Sequence, residues 1–290
     1  MKKLSVLQNF DSRKLIRQPF PYLVLQNALP DYLYKELSDT YPSDKFIVEN
    51  DARKKTSFEN ARANTRYQIS AKQVFDKTVQ LTPLWEDFIA FHTSNIFLDQ
   101  FMEIFGNDIQ KIFPDFEKKM KRPIGQIRSG IRHFKDNPKE CDIALDCQIG
   151  INSHVIESGR VTGPHCDSPE ELYAGLFYMR PSHDESTGGD LALYEWENKR
   201  LFYDKSKVKD NLVREFSRVP YSENCFVVLL NTENSVHGVT PRSITNNSRR
   251  LVNIIGEVYP RMPEGLFKTT KTNTQNVMSW LKRKKSIIKR

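Results

Sequence analysis

The chain has 290 residues, of which 38% are hydrophobic and 11% aromatic. This composition excludes an intrinsically disordered protein and is sufficient for a packed core. Eight of the 44 basic residues lie in residues 268–290, which contain no acidic residue, and the other 36 balance the 36 acidic residues, so the body offers no clear nucleic-acid groove.

The basic C-terminal segment is predicted to be a solvated tail that is able to contact an acidic partner or surface. The N-terminus lacks the apolar core of a secretory signal, and no later segment has the length and apolarity of a membrane span. Four scattered cysteines without a CxxC pair exclude a disulfide scaffold. The sequence therefore predicts a cytoplasmic protein with reduced cysteines and no membrane span.

The first half of the chain is predicted to be mainly helical after one strand. Residues 21–26 (PYLVLQ) favour a strand, and a helix with leucines on one face is expected to begin at Pro30 and Asp31. The polar residues 43–66 show no period and are predicted to form a loop, or a lid over a site. Residues 72–121 have a helical pattern that is expected to break at Gly106 and at two prolines.

The character of the sequence changes after Asp142, where short apolar runs alternate with polar loops. Runs rich in β-branched and aromatic residues are typical of strands. Gly188 and Gly189 predict a tight turn with positive φ between two of these strands. The predicted strands contain the runs QIGINSHVI, YAGLFYM, LALYEW, NCFVVLL and RLVNIIGEV.

The segment His165-Cys166-Asp167 presents two potential metal ligands together, because residues i and i+2 of an extended segment point to the same side. His237, after the apolar run CFVVLL, is placed to supply a third ligand. Two histidines and one carboxylate on one face of a metal leave the opposite positions open. The sequence thus predicts a catalytic metal site at His165, Asp167 and His237. The competing interpretation is that these side chains only form hydrogen bonds inside a β-sandwich.

A second match to the pattern H-x-[DE] occurs at His183-Asp184-Glu185. It falls in the polar run HDESTGGD between two predicted strands, where the backbone is not expected to be extended. This run is therefore predicted to be a solvated loop and not a metal site. The remaining histidines lie in a helical run or lack an acidic residue two positions on, so they are assigned to packing or to the surface.

The order of these parts resembles the 2-oxoglutarate/Fe(II)-dependent dioxygenase superfamily: H-x-D, an apolar strand, the Gly-Gly turn, two further strands, His237 and then arginine. The resemblance covers residues 145–258, and the opening segment PYLVLQNALPDYLYKELSDTYP is similar to the entry segment of the prolyl-4-hydroxylase-like branch. It implies an α+β fold with a double-stranded β-helix (jelly-roll) core and an N-terminal helical region packed on it. We expect an N-terminal α/β support region at 1–140, the catalytic core at 141–260 and the basic tail at 261–290, in one structural unit.

In this superfamily a basic residue on the strand after the distal histidine binds the far carboxylate of 2-oxoglutarate. Arg249 and Arg250 are the two candidates for this cosubstrate site, and arginine can hold a carboxylate by two hydrogen bonds. Only one of two adjacent strand residues faces inward. We favour Arg249, because the same face carries the polar Asn253.

The resemblance implies an oxygenase that uses Fe(II), 2-oxoglutarate and O₂, with ascorbate as an accessory reductant, and that usually hydroxylates its substrate. The entry segment favours a protein, a peptide or a small metabolite as that substrate. Two other classes stay open: a cupin-like metalloenzyme that does not use 2-oxoglutarate, and a non-catalytic binding module on the same barrel. Dependence on 2-oxoglutarate and on Arg249 separates the first class, and the effect of His165→Ala against deletion of residues 268–290 separates the second.

Overall fold

The computed structural model describes residues 4–134, 141–197 and 207–267. The basic segment from residue 268 onward, and the role expected of it, lie outside the described residues. The helices are α1 (Asp31–Asp39), α2 (Asp44–Glu49), α3 (Ala71–Phe75), α4 (Pro83–His92), α5 (Asn95–Ile112) and α6 (Phe116–Met120). The strands are β1 (Leu15–Ile16), β2 (Tyr22–Leu25), β3 (Arg66–Ile69), β4 (Ser129–Ile131), β5 (Ile143–Asn152), β6 (Glu171–Met179), β7 (Leu191–Trp196), β8 (Val213–Val219), β9 (Glu223–Leu230), β10 (His237–Val239) and β11 (Arg249–Glu257).

The predicted α+β class is confirmed, because the helices lie between residues 31 and 120 and the long strands follow residue 142. The strand expected at 21–26 is β2, the helix expected to begin at Pro30 and Asp31 is α1, and each of the five later runs overlaps a strand. Strand β8 was not predicted, because the charged side chains of VREFSRV hide a strand at the edge of its sheet. In the described parts of the chain, no helix is long and apolar enough to cross a membrane.

The strands form two sheets that pack face to face. The larger sheet has eight strands in the order β1-β2-β9-β6-β11-β5-β3, with β4 beside β5, and the smaller sheet has the order β10-β7-β8. Tyr178 and Leu251 of the larger sheet share one buried apolar cluster with Leu191 and Leu193 of the smaller sheet. The inner faces of the two sheets therefore form a common core, with a polar cavity beside it.

Helices cover the outer face of the larger sheet. Phe101 of α5 stacks on Tyr173 of β6 with ring centroids 4.0 Å apart, and Phe88 of α4 stacks on Phe177 of the same strand at 6.0 Å. Because the sheet is covered on both faces, all ten residues of β5 are buried, and this strand lacks the simple alternation of a half-exposed strand.

The turn at Gly188 and Gly189 has the predicted positive φ, with values of 76° and 75°. A Cβ atom at Gly188 would lie 1.9 Å from the carbonyl oxygen of Pro241, so no other residue fits there without moving the backbone. The turn therefore brings the segment around Pro241 against the start of β7.

Two expectations about the helical half are wrong. Helix α2 lies in the stretch predicted to be a loop, and the Ser43 hydroxyl caps it by accepting a hydrogen bond from the Phe46 amide. Six residues are too few to show a helical period, which explains the error. Helix α5 runs through Gly106 without a break, because the cost of about 1 kcal/mol for a helical glycine is offset by burial of the neighbouring aromatic side chains.

Replacing Phe101 by alanine should lower the free energy of unfolding by about 3–5 kcal/mol, because a fully buried ring that packs on the sheet is removed. Ile96→Ala is the matched control on the same helix, since Ile96 is 56% exposed, and its effect should stay within about 0.5 kcal/mol. Urea denaturation of both variants measures the difference. Equal losses would contradict the packing of α5 on the sheet.

Candidate metal centre

His165 and His237 are held beside each other by their own backbones. His165 lies in the extended segment before β6, and His237 begins β10. The amide of His165 donates to the carbonyl of His237 at 2.8 Å, and the amide of His237 donates to the carbonyl of His165 at 2.9 Å. Asp167 completes a group whose potential ligand atoms all lie within 4.8 Å of one another.

The hydrogen bonds of both imidazoles leave the Nε2 atoms free to bind a metal. Nδ1 of His165 lies 2.9 Å from the carbonyl oxygen of Gly163, and Nδ1 of His237 lies 3.0 Å from that of Ser235. A carbonyl oxygen only accepts, so each Nδ1 carries the proton and each Nε2 keeps its lone pair. Burial and the neighbouring His237 lower the pKa of His165, which favours the neutral imidazole that a metal requires.

The geometry of the donor set fits a divalent cation. The Asp167 carboxylate lies 3.7 Å from Nε2 of His165 and 3.5 Å from Nε2 of His237, beyond normal hydrogen-bond length. The Nε2 lone pairs of the two histidines and the Asp167 carboxylate thus face one another, and no hydrogen bond joins them. The side chains of His165 and Asp167 are about one-fifth exposed, so one side of the group stays open to the cavity.

The three side chains line a cavity of about 310 Å³, to which both sheets contribute. This volume is at the lower end for ligand sites, which favours small molecules. The cavity is unusually rich in charged and amide groups for a space between two sheets. Its other polar lining residues include Arg53, Arg66, Gln68, Arg132, Gln148, Asn152, Glu171, Arg249 and Asn253.

Arg249 and Arg250 point to opposite faces of β11. Arg249 lines the cavity, is 2% exposed, and donates from Nε to the Gly189 carbonyl at 2.7 Å. Its guanidinium lies 4.7 Å from the centre of the Tyr178 ring, and both its Nη2 and the Tyr178 hydroxyl are buried without a hydrogen-bond partner. Arg250 instead lies over the Tyr41 ring at 5.1 Å and does not line the cavity.

Sequence reasoning missed the contribution of β3 to this cavity. Arg66 pairs with Asn152 of β5, and Asn152 pairs with Arg249 of β11, so the three residues form one row across the larger sheet. The segment RYQI has a strand-like composition, but it lies within a polar stretch, and its register with β5 is not visible in the sequence. The pairing of β3, β5 and β11 is what places these three residues in one row.

The second match to H-x-[DE], His183-Asp184-Glu185, differs in part from its prediction. His183 is exposed, as expected for a solvated loop, but Asp184 is buried. The Asp184 carboxylate accepts hydrogen bonds from Arg242 at 2.8 Å and from the Ser186 amide at 3.0 Å. The expectation of solvation is therefore wrong for Asp184, because its partner lies 58 residues further along the chain. This ion pair fixes the loop that leads to Gly189.

Comparison with known proteins gives structural matches only. No protein-family model and no curated protein sequence matches the chain. A Shewanella oneidensis protein described provisionally as an oxygenase is 15% identical, with a TM-score of 0.47 over 94% of this chain and 91% of its own. A Trichoplax adhaerens prolyl hydroxylase, solved with a peptide fragment of the hypoxia inducible factor oxygen degradation domain, is 12% identical, with a TM-score of 0.42 over 86% and 90%. A Pseudomonas putida prolyl-4-hydroxylase is 11% identical, with a TM-score of 0.38 over 81% and 91%.

The prolyl hydroxylases among these structures belong to the superfamily that the sequence resembles. One fold carries many chemistries, so a likeness of fold does not assign a reaction. The chemistry of this chain has to be inferred from its own site.

Asp184→Asn should destabilise the protein by about 3–5 kcal/mol at neutral pH, because it leaves the Arg242 guanidinium buried without a counter-charge. Asp210→Asn is the matched control, since it removes a carboxylate from an exposed pair with Arg160, and it should cost less than about 1 kcal/mol. Thermal and urea unfolding measure both effects.

The effect of Asp184→Asn should depend on pH. Burial alone would raise the pKa of Asp184, but the Ser186 hydrogen bonds and the charge of Arg242 outweigh burial and lower it. The stability contributed by the ionised carboxylate is therefore present above the unfolded pKa of about 4 and is lost as the pH falls through the lower folded value. The gap between wild type and variant should narrow below about pH 4, and a constant gap from pH 7 to pH 2.5 would contradict the role of this carboxylate.

Proposed function

We propose that the chain is a non-haem Fe(II)- and 2-oxoglutarate-dependent oxygenase that acts as a hydroxylase. The observation that carries the proposal is the convergence of His165, Asp167 and His237 on a cavity that also holds Arg249. 2-Oxoglutarate has a keto-acid end that chelates a metal and a second carboxylate that needs a cation. The cavity offers both partners, and Nη2 of Arg249 is buried without one.

His165, Asp167 and His237 would hold the metal through the atoms that already face one another. A 2-His-1-carboxylate set suits Fe(II), although Mn, Co, Ni and Zn accept the same ligands. When bound, the metal and 2-oxoglutarate would supply an oxidation in which 2-oxoglutarate, O₂ and a substrate C–H bond give succinate, CO₂ and an alcohol.

Arg249 would hold the far carboxylate of 2-oxoglutarate. Its Nε is already engaged by the Gly189 carbonyl, which fixes the guanidinium and leaves Nη2 for the ligand. Tyr178 lies under the guanidinium, and burial raises the pKa of Tyr178 to about 12, so its hydroxyl stays protonated and can donate a second hydrogen bond. The fixed donors would orient the cosubstrate before the reaction begins.

The jelly-roll core at 141–260 is part of the same proposal. It is supported by the path of the chain, which alternates between sheets: β5, β6, β9 and β11 belong to the larger sheet and β7, β8 and β10 to the smaller one. The helices and the larger sheet share one hydrophobic core. This shared core is consistent with an N-terminal support region at 1–140 that forms one structural unit with the jelly-roll core. A protein, a peptide or a small metabolite remains the proposed substrate, in the cytoplasm.

His165→Ala should abolish both the visible charge-transfer absorption that Fe(II) and 2-oxoglutarate give with anaerobic protein and the succinate formed when O₂ and ascorbate are added. The reason is that the variant removes one of the three proposed metal ligands. His183→Ala is the matched control, because it removes an exposed histidine from the other H-x-[DE] match, and it should retain both signals.

Three outcomes separate the classes. Wild-type protein that binds iron but neither binds nor consumes 2-oxoglutarate would be a cupin-like metalloenzyme and would end the proposal. Protein whose biological function survives His165→Ala but not deletion of residues 268–290 would be a binding module. Loss of both the absorption band and succinate formation in His165→Ala, with both signals retained in His183→Ala, supports the oxygenase.

Arg249→Gln should weaken 2-oxoglutarate binding by about 10- to 100-fold, the loss expected when a charged hydrogen-bond donor is removed from a buried carboxylate. Arg250→Gln changes the adjacent arginine, which faces Tyr41 outside the cavity, and should change the affinity less than about twofold. Titration of the absorption band with 2-oxoglutarate measures both. A larger effect of Arg250→Gln would reverse the assignment.

A further inference from the structure

Arg66 differs from the other arginines on its side of the cavity because it has no ion pair. Arg53 lies 2.8 Å from a carboxylate oxygen of Asp51, and Arg132 lies 2.5 Å from one of Glu257. Across the described ranges, no carboxylate oxygen lies within 4.0 Å of a nitrogen of Arg66. Its charge is therefore not neutralised directly by the protein.

The Arg66 guanidinium is nevertheless held in place. Its Nη2 lies 3.3 Å from Oε1 of Gln148, and the Gln148 amide is itself fixed by donation to Asp146 at 2.7 Å. Nε of Arg66 is buried without a hydrogen-bond partner. A fixed, desolvated guanidinium with free donors is a strong binding site for a carboxylate, which can accept two of its hydrogen bonds.

The sites at Arg66 and Arg249 are separate. The two residues lie on either side of Asn152 in the sheet, so their Cα atoms are about 10 Å apart at the usual strand spacing. Each guanidinium is anchored by a different group, Gln148 for Arg66 and the Gly189 carbonyl for Arg249. If Arg249 holds the cosubstrate, Arg66 remains for a second anionic group.

A carboxylate without an ion pair lines the same cavity. Glu171 lies at the start of β6, and in the ranges that the structure describes no basic nitrogen approaches its carboxylate within 4.0 Å. Arg66 and Glu171 thus line one cavity without forming an ion pair with each other. Burial and the neighbouring Asp167 raise the pKa of Glu171 well above its usual range, so a cationic group of a ligand would stabilise its ionised form. A ligand with both an anionic and a cationic group can pair with both.

We propose that the primary substrate is a free α-amino acid whose carboxylate binds Arg66 and whose ammonium group binds Glu171. This inference rests on the proposed function, which assigns Arg249 and the metal triad to 2-oxoglutarate. The cavity of about 310 Å³ has room for two small molecules and is small for an inserted stretch of polypeptide. Arg66 and Glu171 therefore determine which substrate binds, whereas the three metal ligands hold the metal and do not distinguish between substrates.

The test measures succinate formed by the Fe(II)-loaded enzyme with each of the twenty standard L-amino acids. At least one should stimulate turnover tenfold or more, and its methyl ester and its deaminated acid should each stimulate at least tenfold less. Arg66→Gln should lower kcat/KM for that amino acid by about 10- to 100-fold, with 2-oxoglutarate affinity within twofold of wild type. Arg66→Lys should recover part of the loss, because it restores the charge without the planar fork.

A second readout does not depend on turnover. Calorimetric titration of the stimulating amino acid into Mn(II)-loaded enzyme with 2-oxoglutarate under nitrogen should show binding that Arg66→Gln and Glu171→Gln each weaken by tenfold or more. Equal stimulation by the methyl ester, no stimulation by any amino acid, or loss of 2-oxoglutarate affinity in Arg66→Gln would each overturn the inference. In all three cases wild-type absorption with Fe(II) and 2-oxoglutarate would still support the oxygenase, whereas its absence would refute the oxygenase itself.

Discussion

The reciprocal backbone hydrogen bonds between His165 and His237 are the constraint on which the rest of the site depends. They join an extended segment to the first residue of β10 and so bring together two parts of the chain that are 72 residues apart. The imidazole of each histidine is then held by the carbonyl two residues before it, at Gly163 and Ser235. The same backbone therefore fixes both the separation of the histidines and the nitrogen that each presents. Asp167 joins them through the i, i+2 geometry of an extended segment.

A cavity lined by charges is costly to fold, and the structure offsets this cost outside the cavity. Helices α4 and α5 pack aromatic side chains on the outer face of the larger sheet, which adds apolar burial where no ligand has to bind. The ion pair of Asp184 with Arg242 fixes the loop before the glycine turn, and the Gly189 carbonyl then orients Arg249. The Arg249 guanidinium is thus held in one position, while its Nη2 stays available as a hydrogen-bond donor.

Local pattern was sufficient to predict strands β5, β6, β7, β9 and β11, the glycine turn and the side of β11 that Arg249 occupies, because each depends on residues close together in the chain. The H-x-D pair of potential ligands was visible for the same reason. Pattern failed where partners are distant: burial of Asp184 depends on Arg242, and the place of Arg66 in the cavity depends on the register of β3 with β5. It also failed for α2, which is too short to show a period. Contacts between residues far apart in the chain, and not secondary-structure propensity, therefore account for most of what could not be predicted from this sequence.

The two halves of the chain contribute different parts of the cavity. The potential metal ligands and Arg249 come from the segment between residues 165 and 249, whereas Arg66 comes from β3, within the region proposed as a support for the barrel. Strand β5 connects them, since Asn152 pairs with both Arg66 and Arg249. A change at Arg66 therefore alters one end of the row without touching the backbone bonds that hold His165 and His237. Under the proposed substrate role of Arg66, substrate choice can change through β3 while the candidate metal centre stays the same, so the first half of the chain would be part of the site as well as its support.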